Sequence, residues 1–194
     1  MDTTPLTVRE TLDNYYEKNQ LGKDGGLDLS WAWLKAGPFY IPIPNTRARK
    51  KVLVFHDIHH LSTGYKTNWK GEAEIGAWEV STGCEDYTAA WVLNSLTFAY
   101  GIVFFPIATF RAFIRGRRTS NLYKHIYSHE QLMKMSIPEI QTKLLLDRPQ
   151  TEPATIQEIR SFIGWSIMLF IAFLILFVLP WVVLVWLLFH FHIL

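Results

Sequence analysis

Polar and apolar residues alternate along the first half of the chain at helical spacing, and two long uncharged runs fill the second half. Thr7-Val8-Arg9-Glu10 matches a capping box. Val8, Leu12, Tyr15 and Tyr16 then give one apolar helix face, and Gly22 is the expected stop. Lys23-Asp24-Gly25-Gly26 reads as a turn. Leu27 to Leu34 carries Trp31 and Trp33 as packing groups with polar edges. Gly37 to Pro44 reads as an extended connector punctuated by prolines. Asn45 is the expected N-cap of a helix through Val52, Phe55, His56, His59 and His60, with Gly64 ending it. The β-propensity of Leu53-Val54 leaves a strand open there. Gly71 to Val80 predicts a second short helix with Ala73, Ala77 and Val80 on its apolar face. A polar turn, Ser62 to Lys70, would let the two helices run antiparallel.

Beyond the loop Gly83 to Tyr87, Ala89 to Phe110 is an uncharged run of 22 residues. Its length permits a membrane span, but ten Lys and Arg precede it in residues 1–88 and nine follow in 111–160. That near-equality opposes spanning and favours a buried or membrane-contacting helix, broken near Gly101 and Pro106. The segment Arg111 to Arg118 holds four arginines, suited to a solvated helix end or to anionic headgroups. Asn121 to Met135 predicts a helix bearing His125 and His129, and Ser136 to Glu139 opens another. From Phe162 to Phe189 no residue is charged, and these 28 residues suffice for one tilted span but not two. Trp165, Trp181 and Trp186 suit its interfaces, and Pro180 is a kink or end point. Arg160 puts the positive flank on the N-terminal side, so the bulk of the chain is expected on the cytoplasmic face. The expected organisation is an all-α helical domain over 1–150, a linker over 151–160 and a single transmembrane anchor over 161–194.

Composition narrows the chemistry. A net charge of +2 argues against nucleic-acid binding by bulk charge. Cys84 is the sole cysteine, which excludes an intrachain disulfide and a cysteine-based zinc site. Asp2-Thr3-Thr4-Pro5 after Met1 lacks the basic flank and apolar run of a secretory signal. A metal would therefore use nitrogen and oxygen ligands. His56 and His60 stand at i and i+4, on one helix face. Asp57 can reach the same ion or orient a histidine, and Glu72 can join if the next helix folds back. His59 points away from His60 towards core or solvent, and Glu74 and Glu79 read as solvated or supporting groups. Such a site suits Zn, Fe(II) or Mn(II). His125 and His129 could form a second site, and a membrane di-iron hydroxylase is conceivable. Such enzymes use about eight histidines, however, and this chain has seven, with His190 and His192 in the tail.

The spacing His56-Asp57-x-x-His60-x₁₁-Glu72, closing in Gly71-Glu72-Ala73-Glu74, resembles the signature of the coenzyme Q biosynthesis protein 4 family. Asn45 to Arg49 and Phe113 to Arg118 look like bacterial relatives of that family. The resemblance covers about residues 5 to 150. It implies a helical fold with a divalent metal, commonly zinc, on His56, Asp57, His60 and Glu72, and a greasy groove for a polyprenyl chain. It also implies work at a membrane beside other quinone-biosynthesis proteins. The implied reaction is oxidative decarboxylation at ring carbon 1 of a polyprenylated benzoate in ubiquinone synthesis. The C-terminal apolar segment departs from that family and leaves room for another prenylated ring. A non-catalytic lipid-binding scaffold with a structural metal is the alternative.

Overall fold

A computed structural model describes residues 5–190 except 21, 23, 37, 38 and 126. Expectations placed on Lys23, Gly37, Pro38, Ile126 and His192 lie outside these residues. Helix α1 (Val8–Lys18) starts at the anticipated capping box: Thr7 Oγ1 accepts from Glu10 N, and the Glu10 carboxylate accepts from Thr7 N. It stops before Gly22, because Asn19 turns its amide back onto Tyr15 O.

The fold is mostly helical but not all-α. Strands β1 (Trp31–Ala36) and β2 (Phe39–Pro44) pair as an antiparallel hairpin where a connector was expected. The prolines concealed the strand without forbidding it. Asn45 N donates to Ser30 O, so the nitrogens of Pro42 and Pro44, at alternate positions, face away from β1. Trp31 is exposed rather than packed.

Helix α2 (Arg47–Thr63) is capped by Thr46, whose hydroxyl accepts from Arg49 N, and ends at Gly64 in the left-handed conformation. Asn45 has a different task. It is buried, its amide donates to Gly26 O and Leu29 O, and its carbonyl accepts from Arg49 Nη1. Helix α3 (Trp69–Thr82) starts at Asn68, whose side chain accepts from Gly71 N. The uncharged run that follows bends into α4 (Thr88–Phe104) and α5 (Pro106–Arg117), as Gly101 and Pro106 suggested. Both helices pack on α3, which is buried almost all round. The core gathers Trp78 from α3, Phe98 from α4, Phe113 from α5 and Ile58 from α2.

The expected helix over 121–135 is interrupted. A 3-10 turn at Leu122–Lys124 is followed by α6 (His129–Lys134), so His125 and His129 belong to different elements. His125 contacts Ser120 Oγ, and the i, i+4 pairing proposed for these histidines does not form. Helix α7 (Ile137–Lys143) is capped by Ser136, as expected.

Helix α8 (Ile156–Phe173) runs through a π-helical turn, Leu174–Val178, into α9 (Leu179–His190). The π turn stands just before Pro180, whose ring cannot donate and crowds the preceding turn. Together they form the one helix among the described residues long and apolar enough to cross a bilayer. Its start is tied down. Arg118 clamps Glu158 through Nε (2.7 Å) and Nη2 (2.8 Å) and donates to Glu152 O and Pro153 O.

Close approach of α3 to its neighbours depends on glycines. A Cβ at Gly76 would meet Thr97 Oγ1, and one at Gly116 would stand 2.7 Å from Trp78 O and 2.8 Å from Ser81 Cβ. Gly116→Ala should therefore destabilise by about 1–3 kcal/mol despite alanine's better helix propensity. Gly164→Ala, with nothing within 4 Å, should not destabilise. Thermal unfolding of the two variants against the parent decides it, and equal melting temperatures would refute the packing account.

Candidate metal centre

The α2 register and the fold-back of α3 bring His56, His60 and Glu72 together. Their nearest ligand atoms all lie within 4.8 Å of one another, the sole such group of three or more among the described residues. His56 Nε2 is 3.5 Å from Glu72 Oε2, and His60 Nε2 is 3.4 Å from Glu72 Oε1. The two Nε2 atoms face each other at 3.2 Å. Glu72 sits in the first turn of α3, and Gly71 before it abuts the Lys66 backbone so tightly that a Cβ there would strike it.

The other ring nitrogens fix what the facing ones are. His60 Nδ1 lies 2.9 Å from Tyr65 O, a pure acceptor, so Nδ1 carries a proton and donates. His56 Nδ1 donates to Glu79 Oε1 at 3.0 Å. In the neutral rings both Nε2 atoms are therefore bare lone pairs, aimed at one another and at a carboxylate. Three acceptors in contact require a shared positive charge, which a proton or a metal ion can supply.

Behind the histidines lies Glu79, fully buried. Its Oε1 accepts from His56 Nδ1 and from His59 Nδ1 at 2.7 Å, and its Oε2 accepts from Tyr123 Oη at 2.9 Å and from Asn94 Nδ2. His59 Nε2 in turn accepts the Leu122 amide at 2.9 Å, so its single proton must sit on Nδ1. Burial also pushes the His59 pKa down, consistent with a neutral ring. Burial alone would raise the Glu79 pKa, but His56 and His59 outweigh it and hold the carboxyl well below its ordinary range. Glu72 shows the same balance, with both site histidines outweighing burial. For His56, burial lowers the pKa and the two carboxylates more than reverse it, leaving it well above its ordinary value.

Asp57, the fourth sequence candidate, does not join the converging atoms. It is buried on the side of α2 facing α1, accepts from Tyr16 Oη at 3.0 Å, and burial raises its pKa to about 6. His59 is a core residue, as its angle to His60 predicted. Glu79 is the residue that sequence reasoning undervalued. Its signal was present: it lies seven residues after Glu72, two turns along the same face of α3.

A cleft of about 650 Å³ opens beside His60, between Thr11, Tyr15 and Lys18 of α1 and the loop Tyr65 to Asn68. A second, of about 700 Å³, sets Arg47, Lys50 and Lys51 beside Val54, Phe55 and Met133. Arg115 is engaged elsewhere, donating to Thr63 O and lying over the Tyr65 ring.

Removing the acceptor behind the histidines should be costly. In metal-free protein Glu79→Gln leaves a neutral amide facing four donors and should cost about 3 kcal/mol or more. Tyr123→Phe deletes one of those donors and should cost about 1.5 kcal/mol, the low end for a bond to a charged acceptor. Denaturant unfolding measures both, and similar values would contradict a central role for Glu79.

Searches against protein-family models, curated proteins and solved structures gave no match to this chain.

Proposed function

We propose that the chain is a membrane-anchored, divalent-metal-dependent protein that acts on a polyprenylated aromatic acid in ubiquinone or related prenyl-lipid synthesis. His56, His60 and Glu72 are the ligands. The observation that carries the metal reading is the set of three facing acceptors whose tautomers are fixed from behind. Charge supports the same reading. Glu72 and Glu79 are held ionised against burial by the site histidines, and a divalent ion would take the place of the proton that His56 keeps between them. Two histidines and one carboxylate leave a coordination position for substrate or water, the pattern of catalytic rather than closed sites. The donor set suits Zn, and also Fe(II) or Mn(II).

The substrate reading rests on the resemblance of the His56-Asp57-x-x-His60-x₁₁-Glu72 spacing to the coenzyme Q biosynthesis protein 4 family, and the apolar C-terminal helix supports work at a membrane. A bound ion would act as a Lewis acid on a ring hydroxyl or carboxylate. The chain's own part is to orient. Glu79 holds His56, Tyr65 O holds His60, and Asn68 starts the helix turn that presents Glu72. Loss of carbon dioxide breaks the bond from C1 to the carboxyl group, and the electron pair left on C1 takes a proton. In the oxidative form dioxygen, as co-reactant, supplies the oxygen of a new C1–O bond, and its second atom, with two further electrons from a partner's reductant, leaves as water.

Full-length protein purified in detergent should carry about one divalent ion per chain, lost in His60→Ala and in Glu72→Ala. Stoichiometric metal in both variants would sink the site. Loaded protein should release carbon dioxide from a prenylated hydroxybenzoate, and failure to do so with metal bound would favour the scaffold. Metal affinity should also rise with pH above the ordinary histidine range. His56 keeps its proton well above its ordinary pKa, so proton and metal compete there and the proton is lost only as the pH climbs further. An affinity independent of pH, measured by calorimetry, would remove His56 from the ligand set.

A further inference from the structure

The C-terminal helix leaves the domain only after lying along it. Phe162 packs against Phe98, Phe110 and Phe113 with ring centroids 5.8, 5.1 and 5.5 Å apart. Trp165 stacks on Trp91 at 5.7 Å, and Leu169 is buried. The 28 uncharged residues from Phe162 make about 42 Å of helix, whereas a bilayer core is about 30 Å thick. The surplus of about 12 Å equals the docked stretch from Phe162 to Leu169. That stretch, and whatever lies beside it, falls at the edge of the bilayer core.

Beside it lies surface without charge. No residue from Ala89 to Phe110 is ionisable as an acid or base in the neutral range. The outer face of α4 exposes Val92 (54%) and Leu96 (51%), and the elbow into α5 exposes Val103 (70%), Phe104 (61%) and Ile107 (68%). The exposed face of α8, with Ile163, Ile167 and Ile171, is equally apolar and continues directly into the span. One environment therefore suits both.

Part of the elbow's backbone is already paired within the hairpin. Phe105 N donates to Gly101 O at 2.8 Å, Pro106 has no N–H, and Phe105 O accepts from both Thr109 N and Thr109 Oγ1 at 2.9 Å. Tyr100 stands at its base against Trp69 and Phe104, in the manner of interfacial aromatics. Arg111 and Arg117 are exposed further along α5, within reach of headgroups.

We propose that the α4–α5 hairpin is a membrane-facing wedge whose elbow, Val103 to Ile107, is immersed in the acyl region of the leaflet through which α8 enters. This inference rests on the anchor reading of the C-terminal helix. It has a consequence for the metal centre. Gly101 packs against Ala73, the neighbour of Glu72, so the wedge holds the ligand-bearing turn of α3 close to the lipid.

The test uses full-length protein in phosphatidylcholine vesicles, with and without brominated acyl chains. An environment-sensitive fluorophore is attached in separate proteins at Phe104→Cys, Leu184→Cys and Glu17→Cys. Cys84 is buried and its thiol pKa is raised by burial, so the introduced thiol alone reacts. The Phe104 probe should show blue-shifted emission and quenching at least half that of the Leu184 probe, with the Glu17 probe unquenched. A Phe104 probe that behaves like Glu17 while Leu184 is quenched would overturn the wedge and leave the anchor standing. Blue-shifted but unquenched emission at Phe104 would assign the elbow to a second copy of the chain, and also overturns it. No quenching at Leu184 either would remove the anchor, and the wedge with it.

Discussion

Everything around the candidate metal centre depends on one buried carboxylate. Taking Glu79 out of water costs several kcal/mol. Four donors offset that cost, each worth about 1.5–3 kcal/mol against a charged acceptor. Those donors come from α2, from α4 and from the 3-10 turn, while Glu79 itself belongs to α3. The carboxylate thus joins four elements that the chain brings together from distant positions. It also leaves little choice to the histidines. With Glu79 Oε1 occupied by two Nδ1–H groups, the Nε2 atom of His56 faces the open side and that of His59 faces the Leu122 amide. Two neighbouring histidines with the same inner partner therefore have opposite fates, one towards the site and one closed into the core.

That arrangement requires α3 to be placed accurately along its axis, because Glu72 and Glu79 lie two turns apart on it. Small residues provide the accuracy. Gly76 and Gly116 admit neighbouring backbones at distances a side chain would prevent, and the fully buried Trp78 is fixed by its indole N–H donating to Thr119 Oγ1. An axial slide of α3 would drive one of these contacts into overlap. The packing of α3 and the alignment of its two carboxylates are the same constraint seen at two scales.

Much of this was legible in the residues, and the rest failed for identifiable reasons. Caps were the most readable signal, since a capping box or a glycine stop acts within four residues: Thr7, Ser136 and Gly64 all fell where expected. The cap of α2 was missed by one position because Asn45 and Thr46 are both good caps. What separates them is the distant turn at Gly26 and Leu29, which takes the Asn45 amide. The hairpin was missed because Pro42 and Pro44 advertise a broken ladder, and only the strand register shows that their nitrogens face outward. The His56–His60–Glu72 convergence was foreseeable from spacing, as it needs only one helix and one fold-back. Glu79 was harder. A lone glutamate on a short helix is usually solvated, and its four donors lie between 15 and 44 residues away in sequence.

The same uncharged run places the site close to an apolar outer surface. Asn94 is among its few polar side chains, and it turns inward to Glu79, while Val92 and Leu96 on the same helix turn outward. Helix α4 is therefore a thin wall between an ionic cluster and an apolar exterior. The low polarisability of that wall strengthens the hydrogen bonds to Glu79. In the proposed wedge, the uncharged outer face is what would let so thin a wall lie against lipid instead of water. A charged residue at Val92 or Leu96 would solvate the wall from outside and weaken both properties together.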